Sequence, residues 1–353
     1  MDDAAHMRSA LALARRGLGN TWPNPAVGCV LVQDGRVVGR GWTAPGGRPH
    51  AETHALAAAG ERAGGATAYV TLEPCSHHGQ TPPCADALAA AGVSRCVIAL
   101  GDPDPRVNGA GIAQLRAAGI TVETGLLECE AAELQAGFLL RLRAGRPLFT
   151  LKLATSLDGR VATTTGESQW ITGPEARRAA HALRGRHDAV LVGIGTALTD
   201  DPALTCRLPG FKPIPDLRIV LDTRLRLPLA STLAQTARVA PVWVLHGASP
   251  DLARREALLA AGIRLVETPT TGAGLDLAAA AMLLGDAGLT RVLVEGGAGI
   301  AASLVAAGLA DRLAWFHAPC LLDGVSRLAD APRFTRRTSQ PVGPDWLTEL
   351  EAA

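Results

Sequence analysis

The residues Pro49-His50-Ala51-Glu52, followed by Glu73-Pro74-Cys75 and Pro82-Pro83-Cys84, decide the fold and the chemistry of the first half of this sequence. One His and two Cys make a three-ligand set for zinc, and a catalytic zinc site keeps its fourth position open. A carboxylate two residues after the ligand His can move protons beside the metal. A His-x-Glu with a later Pro-Cys and a further Cys is the signature of zinc deaminases that act on nucleobases. We therefore predict His50, Cys75 and Cys84 as metal ligands and Glu52 as the catalytic residue.

Two other kinds of zinc site share parts of this pattern. A purely structural zinc needs a fourth protein ligand, and the candidates are His54, His77 and His78. A zinc-protease helix needs His-Glu-x-x-His, whereas the Glu of this chain stands one place too late. A structural site gives no reason for the Glu beside the ligand His, so we prefer the deaminase interpretation. The other cysteines lie in apolar runs or stand alone and are assigned to core or surface: Cys29, Cys96, Cys129, Cys206 and Cys320.

Helix and strand patterns alternate along the first half of the chain. Residues 28–33 and 36–41 flank the turn Asp34-Gly35, which is a strong hairpin signal. This alternation predicts an α/β fold with helices packed on a sheet. The pattern breaks at Arg143-Ala144-Gly145-Arg146-Pro147, where Gly and Pro mark a boundary. We predict two domains, residues 1–146 and 147–353.

The second half begins a new α/β series with a buried-strand pattern at 148–154. Thr172-Gly173-Pro174-Glu175 predicts a helix start capped by Thr172. Gly296-Gly297-Ala298-Gly299 follows a strand and opens a helix, which favours phosphate binding, although a tight strand–helix turn explains it too. Too little sequence follows for a Rossmann fold. The last two strand patterns, 313–316 and 346–350, predict an antiparallel sheet edge.

The amino-acid composition limits the kinds of binding partner that can be expected. The 353 residues carry a net charge of +1 with 48% hydrophobic, 19% charged and only 3% aromatic residues. This balance gives no reason to expect a nucleic acid or a membrane as partner. The start Met1-Asp2-Asp3 lacks an apolar segment, and the longest uncharged stretch, 296–310, is too short to span a bilayer. We therefore expect a cytoplasmic enzyme.

Charged residues in the second half are candidates for a ligand site. Only Lys152 and Lys212 are lysines among the 34 basic residues. Lys152 falls in an apolar strand, where a charge needs a partner, and Glu295 at another strand end is the candidate. Arg184 and Arg207 are candidates to bind a phosphate because a guanidinium matches phosphate geometry.

The spacing of the two cysteines carries a resemblance to a known family. Eight residues separate Cys75 from Cys84, and Pro23-Asn24-Pro25-Ala26-Val27-Gly28 lies upstream. Both features closely resemble the bifunctional riboflavin-biosynthesis deaminase/reductase family. The resemblance continues at residues 102–105, 107–109, 152–160, 166–173, 200–205 with Arg207, and 294–297, and it departs at 319–324.

The resemblance implies a cytidine-deaminase-like three-layer domain followed by a dihydrofolate-reductase-like α/β domain. The first would hydrolyse the 2-amino group of 2,5-diamino-6-(5-phosphoribosylamino)pyrimidin-4-one with zinc. The second would reduce the ribosyl side chain to ribityl with NADPH. The substrate is thus a small phosphorylated pyrimidine, and we expect a homo-oligomer, a dimer or a tetramer. The alternative is a deaminase whose second half is a binding or dimerisation module, which the departure at 319–324 favours.

The resemblance also implies roles for individual residues. Asn24, His77 and His78 would line the deaminase pocket. The residues implied to contact NADPH are Ala154, Trp170, Thr196, Asp200, Thr223, Gly297, Ala298, Gly299, Ile300, Ala301, Ala302 and Ser303. Those implied or expected to contact the second substrate are Lys152, Ser168, Arg184, Leu204, Arg207 and Glu295.

Overall fold

A computed structural model describes residues 2–77, 82–212, 214–248, 251–272, 274–342 and 345–352 of the chain. In the first half the elements are α1 (Asp3–Ala14), β1 (Gly28–Gln33), β2 (Arg36–Trp42), α2 (Ala51–Ala59), β3 (Thr67–Val70), α3 (Cys84–Ala90), β4 (Arg95–Ile98), α4 (Ala110–Ala117), β5 (Thr121–Thr124) and α5 (Glu128–Ala144). The five strands form one sheet in the order β2-β1-β3-β4-β5. The hairpin at Asp34-Gly35 is confirmed, because β1 pairs antiparallel with β2.

Alternate residues of β1 divide the core of this half into two layers. Cys29 and Leu31 pack with α2 and α3 on one face of the sheet. Val30 and Val32 pack with α1 and with the first turns of α5 on the other face. Strand side chains point to opposite faces in turn, so an apolar strand of this kind serves two helical layers. The result is the three-layer arrangement that the resemblance implied.

The second half continues with β6 (Leu148–Thr155), α6 (Pro174–Gly185), β7 (Ala189–Gly193), α7 (Ile194–Asp200), β8 (Leu217–Leu221), α8 (Thr232–Gln235), β9 (Val242–His246), α9 (Leu252–Ala260), β10 (Arg264–Glu267), β11 (Thr270–Thr271), β12 (Gly274–Leu275), α10 (Leu277–Asp286), β13 (Arg291–Val294), α11 (Ala298–Ala306), β14 (Arg312–His317), β15 (Phe334–Val342) and β16 (Asp345–Ala352). Seven of these strands form a sheet in the order β10-β9-β8-β7-β13-β6-β14. Every neighbouring pair in it is parallel. Its central strands are apolar on both faces, as a sheet covered on both sides requires.

Two details of the second half correct the sequence predictions. The edge strand β14 is parallel to β6 because α11 carries the chain back across the sheet before β14 begins. The other predicted strand, 346–350, lies in β16, which pairs antiparallel with β15, a strand that was not predicted, in a separate two-stranded sheet. The cap of α6 is Gly173 and not Thr172, with Pro174 in the first turn and no side chain bonded to the helix end.

Helix α5 connects the two halves. It ends with Gly145 in the left-handed region, at a φ of 69°, and β6 begins at Leu148. From the second half, the buried guanidinium of Arg291 donates from Nη2 to the carbonyls of Glu133 and Leu134, at 3.2 and 2.6 Å. In the other direction, Nε of Arg141 donates to the Gly285 carbonyl at 2.7 Å. No helix among the described residues is long and apolar enough to cross a membrane.

Candidate active sites

Two helix starts and one loop bring the predicted zinc ligands together. His50 caps α2, Cys84 is the first residue of α3, and Cys75 lies in the segment after β3. Their ligand atoms all lie within 4.8 Å of one another. The Nδ1 atom of His50 is 3.6 Å from Sγ of Cys75 and 3.3 Å from Sγ of Cys84. One imidazole and two thiols at this separation fit a zinc ion.

The surroundings of Cys75 favour a thiolate, which is the form that binds a metal. The Cys84 amide at the start of α3 donates to Sγ of Cys75 at 3.3 Å. Hydrogen bonds from the Cys84 thiol and from His50 lower the pKa of Cys75 to about 4, against the opposing effect of burial. Helix starts favour thiolates in the same way, because the free amides and the helix dipole stabilise negative charge.

A fourth protein ligand is not found among the residues that the structure describes. Nδ1 of His54 lies 3.1 Å from the Trp42 carbonyl, and its ring packs edge-on against the Trp42 indole. His77 lines the same cleft but is not a member of the three-ligand group. His78 lies outside the described residues. The described site is therefore the three-ligand kind that catalytic zinc uses.

Glu52 lies in the first turn of α2 with only 3% of its surface exposed. Burial raises the pKa of this carboxyl to about 7. A carboxyl with a pKa near neutrality is suited to take up a proton and to release it again. Glu52 also interacts with His50 and Cys84, so its carboxyl lies beside the candidate zinc ligands.

The cleft over this centre has a volume of about 290 Å³. Asn24 and His77 both line it, as expected, and the Asn24 amide donates to the Gly47 carbonyl at 3.3 Å. Asp102 and Asp104, which belong to a sequence motif that was given no role, also line the cleft, together with Arg106, which the sequence analysis did not single out. Burial raises the pKa of Asp102 to about 6. The sequence feature that could have identified the two aspartates is the Asp-Pro-Asp-Pro run, because carboxylates in a rigid turn are typical of a binding site.

Glu73 of the Glu-Pro-Cys motif has a structural task. Its buried carboxylate accepts hydrogen bonds from the amides of Asp102 and Gly109 at Oε2, at 3.3 and 3.1 Å, and from Ile112 at Oε1, at 3.1 Å. Gly111 has no room for a side chain, since a Cβ there would lie 2.0 Å from the Pro74 carbonyl oxygen. These contacts fix the segment that carries Asp102 against the segment that carries Cys75.

A second, larger pocket of about 680 Å³ lies in the second half. The predicted residues that line it are Lys152, Ala154, Ser168, Trp170, Arg184, Thr196, Asp200, Leu204, Arg207, Glu295, Gly297 and Ala298. Six others do not line it: Thr223, which follows β8, and Gly299, Ile300, Ala301, Ala302 and Ser303, which continue α11 beyond its first residue. One pocket thus gathers residues from segments as far apart in the sequence as β6 and the start of α11.

The partner predicted for Lys152 is wrong. Glu295 pairs with Arg184 instead, with Nε 2.6 Å from Oε1 and Nη2 2.9 Å from Oε2. Burial opposes the charge on Glu295, but the Arg184 guanidinium outweighs it and holds the pKa of the carboxyl below its usual range. The Lys152 ammonium lies 6.0 Å from the centre of the Phe316 ring. Its charge also contributes to the lowered pKa of Glu295, after that of Arg184.

Gly296 and Gly297 form the turn between β13 and α11. Gly297 caps the helix, and its amide donates to the Thr196 hydroxyl at 3.3 Å. A Cβ at Gly296 would lie 1.9 Å from Cγ2 of Ile300, so only glycine allows this close strand–helix turn. A helix start with free amides attracts negative phosphate oxygens.

Comparison with known proteins assigns both halves. The family model of the cytidine and deoxycytidylate deaminase zinc-binding region matches residues 1–100, and that of the RibD C-terminal domain matches residues 147–348. Over its full length the chain is 44% identical to the riboflavin biosynthesis protein RibD of Escherichia coli (strain K12), covering 100% of both chains. The chain belongs to the RibD family. It is also 42% identical to RibD of Bacillus amyloliquefaciens, with 96% of this chain and 94% of that one covered.

Solved RibD structures have the same two-domain fold. The chain superimposes on Acinetobacter baumannii RibD with a TM-score of 0.82 at 38% identity, and 99% of each chain is covered. A diaminohydroxyphosphoribosylaminopyrimidine deaminase/5-amino-6-(5-phosphoribosylamino)uracil reductase from Thermotoga maritima gives a TM-score of 0.80 at 32% identity, over 99% of this chain and 98% of that one. The predicted fold classes of both halves are confirmed.

Proposed function

We propose that residues 1–146 and 147–353 of this RibD protein catalyse two consecutive steps of riboflavin biosynthesis. The first domain deaminates 2,5-diamino-6-(5-phosphoribosylamino)pyrimidin-4-one, and the second reduces the ribosyl side chain of the product to ribityl with NADPH. The observation that carries the first step is the group His50, Cys75 and Cys84 with buried Glu52 beside it. The second step is supported by the pocket that gathers most of the residues implied by the resemblance.

In the deaminase site the chain itself supplies binding and proton transfer. His50, Cys75 and Cys84 would hold a zinc ion, which would supply the Lewis acidity needed to activate a water molecule. Glu52 takes a proton from the attacking water and delivers it to the departing amino group, which leaves as ammonia. Its raised pKa suits both directions of transfer. Asn24 and His77 on the cleft wall contact the substrate.

In the reductase site the chain positions two ligands against each other. NADPH supplies the hydride when it is bound. The start of α11 with Gly297 and Ala298, together with Thr196, holds the cofactor phosphates. Ala154, Trp170 and Asp200 line the pocket beside the reacting end, and Thr223 with residues 299–303 supports the cofactor from outside the pocket. Ser168, Leu204 and Lys152 contact the sugar substrate.

The two arginines of this pocket take different tasks. Arg184 is engaged by Glu295 and also donates from Nη1 to the Thr205 carbonyl at 3.0 Å. It fixes the Glu295 carboxylate, which can then accept from a ribose hydroxyl. Arg207 is exposed, and no carboxylate pairs with it in the described part of the chain. We therefore assign the substrate phosphate to Arg207.

The deaminase-only alternative has less support. Its basis was the departure at residues 319–324, but no residue of that segment lines the second pocket. Asp158 anchors the segment by accepting hydrogen bonds from the amides of Leu322 and Asp323, at 3.0 and 2.6 Å. The departure therefore changes a supporting loop and not the wall of the pocket.

We also propose that the protein is a homo-oligomer, a dimer or a tetramer. The edge strand β14 exposes Leu313 and Trp315 on one face, at 54% and 48%. An edge strand with large apolar side chains is a site for association. Light scattering on the eluting protein tests this, since a monomer at micromolar concentration would contradict it.

The two activities are tested separately on one preparation. Ammonia release is measured with the diaminopyrimidinone substrate and no NADPH, and NADPH oxidation is measured with the deaminated compound as substrate. We expect both reactions, and we expect the non-deaminated compound to give little NADPH oxidation in protein freed of zinc. Ammonia release without any NADPH oxidation would return the second half to the role of a binding module.

A further inference from the structure

His181 was not singled out in the sequence, yet it lies on α6 at the wall of the reductase pocket. Its Nδ1 atom is 3.1 Å from the Thr205 carbonyl oxygen. Its Nε2 atom is 3.4 Å from Nε and 3.3 Å from Nη2 of Arg207. The ring therefore stands between a carbonyl of the loop after α7 and the guanidinium that carries the proposed phosphate site.

The Thr205 carbonyl and the Arg207 guanidinium determine which nitrogen of the His181 ring carries the hydrogen. A carbonyl oxygen only accepts hydrogen bonds and a guanidinium only donates them. Both are satisfied when Nδ1 carries the hydrogen and Nε2 accepts. The other tautomer lets Nδ1 accept from the Arg207 amide, 3.3 Å away, but it turns an Nε2–H group against the guanidinium donors. A doubly protonated ring has the same conflict, so the neutral ring with hydrogen on Nδ1 is the form that holds Arg207.

The charges around the ring favour this neutral form. Burial and the nearby guanidinium groups of Arg184 and Arg207 lower the pKa of His181, against the opposing effects of the Thr205 carbonyl and Glu295. The charge of Lys152 on β6 helps to lower the pKa of Glu295. At neutral pH the ring is therefore an acceptor.

Arg207 needs such a guide because its side chain is long and exposed. A free arginine side chain loses considerable rotamer entropy when a ligand fixes it. Two contacts from Nε and Nη2 to a partly buried ring hold the guanidinium plane in advance and leave its remaining N–H groups for a ligand. An arginine held in advance binds phosphate more tightly than a mobile one.

We propose that His181 is a positioning residue of the reductase, whose ring orients Arg207 toward the substrate phosphate. The proposal rests on the proposed function, which assigns that phosphate to Arg207. It predicts that His181 affects phosphorylated ligands alone and acts only through Arg207.

Four variants of the full chain test this: H181F, which removes the acceptor and keeps the bulk, H181Q, which keeps a donor and an acceptor, R207Q, and the double variant H181F/R207Q. The substrates for NADPH oxidation are 5-amino-6-(5-phosphoribosylamino)uracil and its phosphate-free riboside. For H181F we expect KM of the phosphorylated substrate to rise about tenfold, the size of one lost hydrogen bond to a charged group, with little change in kcat. In H181Q the KM of the phosphorylated substrate should be close to the native value. The KM of the riboside should be the same in the native protein and in both His181 variants.

The double variant and the pH profile separate positioning from packing. If His181 acts through Arg207, H181F/R207Q has the KM of R207Q, because the two effects do not add. The KM of the native protein should also rise as pH falls through the lowered pKa of His181, and this rise should be absent in H181Q. Deaminase activity of the same preparations should stay unchanged, and a near-native kcat for NADPH oxidation shows that the reductase domain of the variants is folded.

The opposing outcomes are equally distinct. Native values for H181F, additive effects in the double variant, or an equal rise for substrate and riboside would each overturn the role of His181. Binding of ribose 5-phosphate, measured by calorimetry on all four variants, gives a readout that needs no turnover. Binding that H181F leaves unchanged overturns the role as well. The remaining outcome is that the native protein shows no preference for the phosphorylated substrate over the riboside and none for ribose 5-phosphate over ribose. In that case the assignment of the phosphate to Arg207 fails, and the role of His181 fails with it.

Discussion

The Glu295 carboxylate takes two hydrogen bonds from a single guanidinium, that of Arg184, at 2.6 and 2.9 Å. Glu295 directly follows β13 and Arg184 lies in α6, and their side chains are only 10% and 15% exposed. A two-point pair of this kind fixes the plane of the carboxylate as well as its position. In the proposed function, the pair with Arg184 orients the Glu295 carboxylate to accept a hydrogen bond from a ribose hydroxyl, while Arg207 binds the phosphate.

Breaking this pair should damage reduction and the stability of the second domain. Arg184→Met leaves the buried Glu295 charge without its paired guanidinium, which costs about 3–5 kcal/mol of unfolding free energy. The double variant R184M/E295Q should recover much of the stability but none of the reduction. Urea unfolding and NADPH oxidation measure the two effects. Native reduction in R184M would contradict the role of the pair, and unchanged ammonia release is the control.

Glu52→Gln should remove deamination and leave reduction intact. The amide keeps the shape of the side chain but cannot carry the proton, and general acid–base catalysis is worth about 10²–10⁴-fold. Ammonia release measures the loss, and atomic absorption should still find zinc because Glu52 is not a ligand. A variant that deaminates within a few-fold of the native rate would exclude Glu52 as the proton carrier.

Removal of zinc should separate the two activities. Treatment with a strong chelator is expected to abolish ammonia release, and added zinc should restore it. NADPH oxidation with the deaminated substrate should survive, since no group of His, Cys, Asp or Glu that could hold a metal was found at the second pocket among the described residues. As a matched control, Cys206→Ser leaves the ligand set intact and should keep its zinc, whereas Cys84→Ser should lose it.

The buried ring of His187 should make stability depend on pH. It donates from Nδ1 to the Leu183 carbonyl at 2.7 Å and accepts at Nε2 from the Thr150 hydroxyl at 2.9 Å. Burial lowers its pKa to about 4. As pH falls below about 6.5, the unfolded chain binds the proton first, so the folded state loses about 2 kcal/mol between about pH 7 and pH 5.

Urea unfolding of the native protein and of His187→Gln at both pH values isolates this contribution. The variant should be less stable at neutral pH but should lose less stability on acidification. An identical loss in the two proteins would show that His187 does not titrate as its burial requires.

Features set by local sequence could be predicted, whereas contacts between segments that are distant in the sequence could not. The zinc ligands and Glu52 could be predicted because each stands beside a Pro or a helix start, and ligand chemistry allows few combinations. The partner of Glu295 could not, because nothing in the sequence gives the orientation of α6 against β13. The direction of β14 was missed for a similar reason, since a strand pattern carries no information about its neighbours.

His181 shows the same limit at the level of one residue. A lone histidine on an amphipathic helix gives no signal in the sequence, and its role depends on a loop that follows it by more than twenty residues. Most of the second-half residues singled out in the sequence line one pocket, but His181, the proposed positioning residue, was visible only in three dimensions.

Mass spectrometry of the product tests the central claim most directly. Zinc-loaded protein is given the diaminopyrimidinone ribosyl phosphate with and without NADPH. The account predicts that an amino group is exchanged for oxygen in both samples and that two hydrogens are gained only with NADPH. Exchange alone would contradict the reductase assignment, and an unchanged substrate in both samples would contradict the catalytic role of the zinc site.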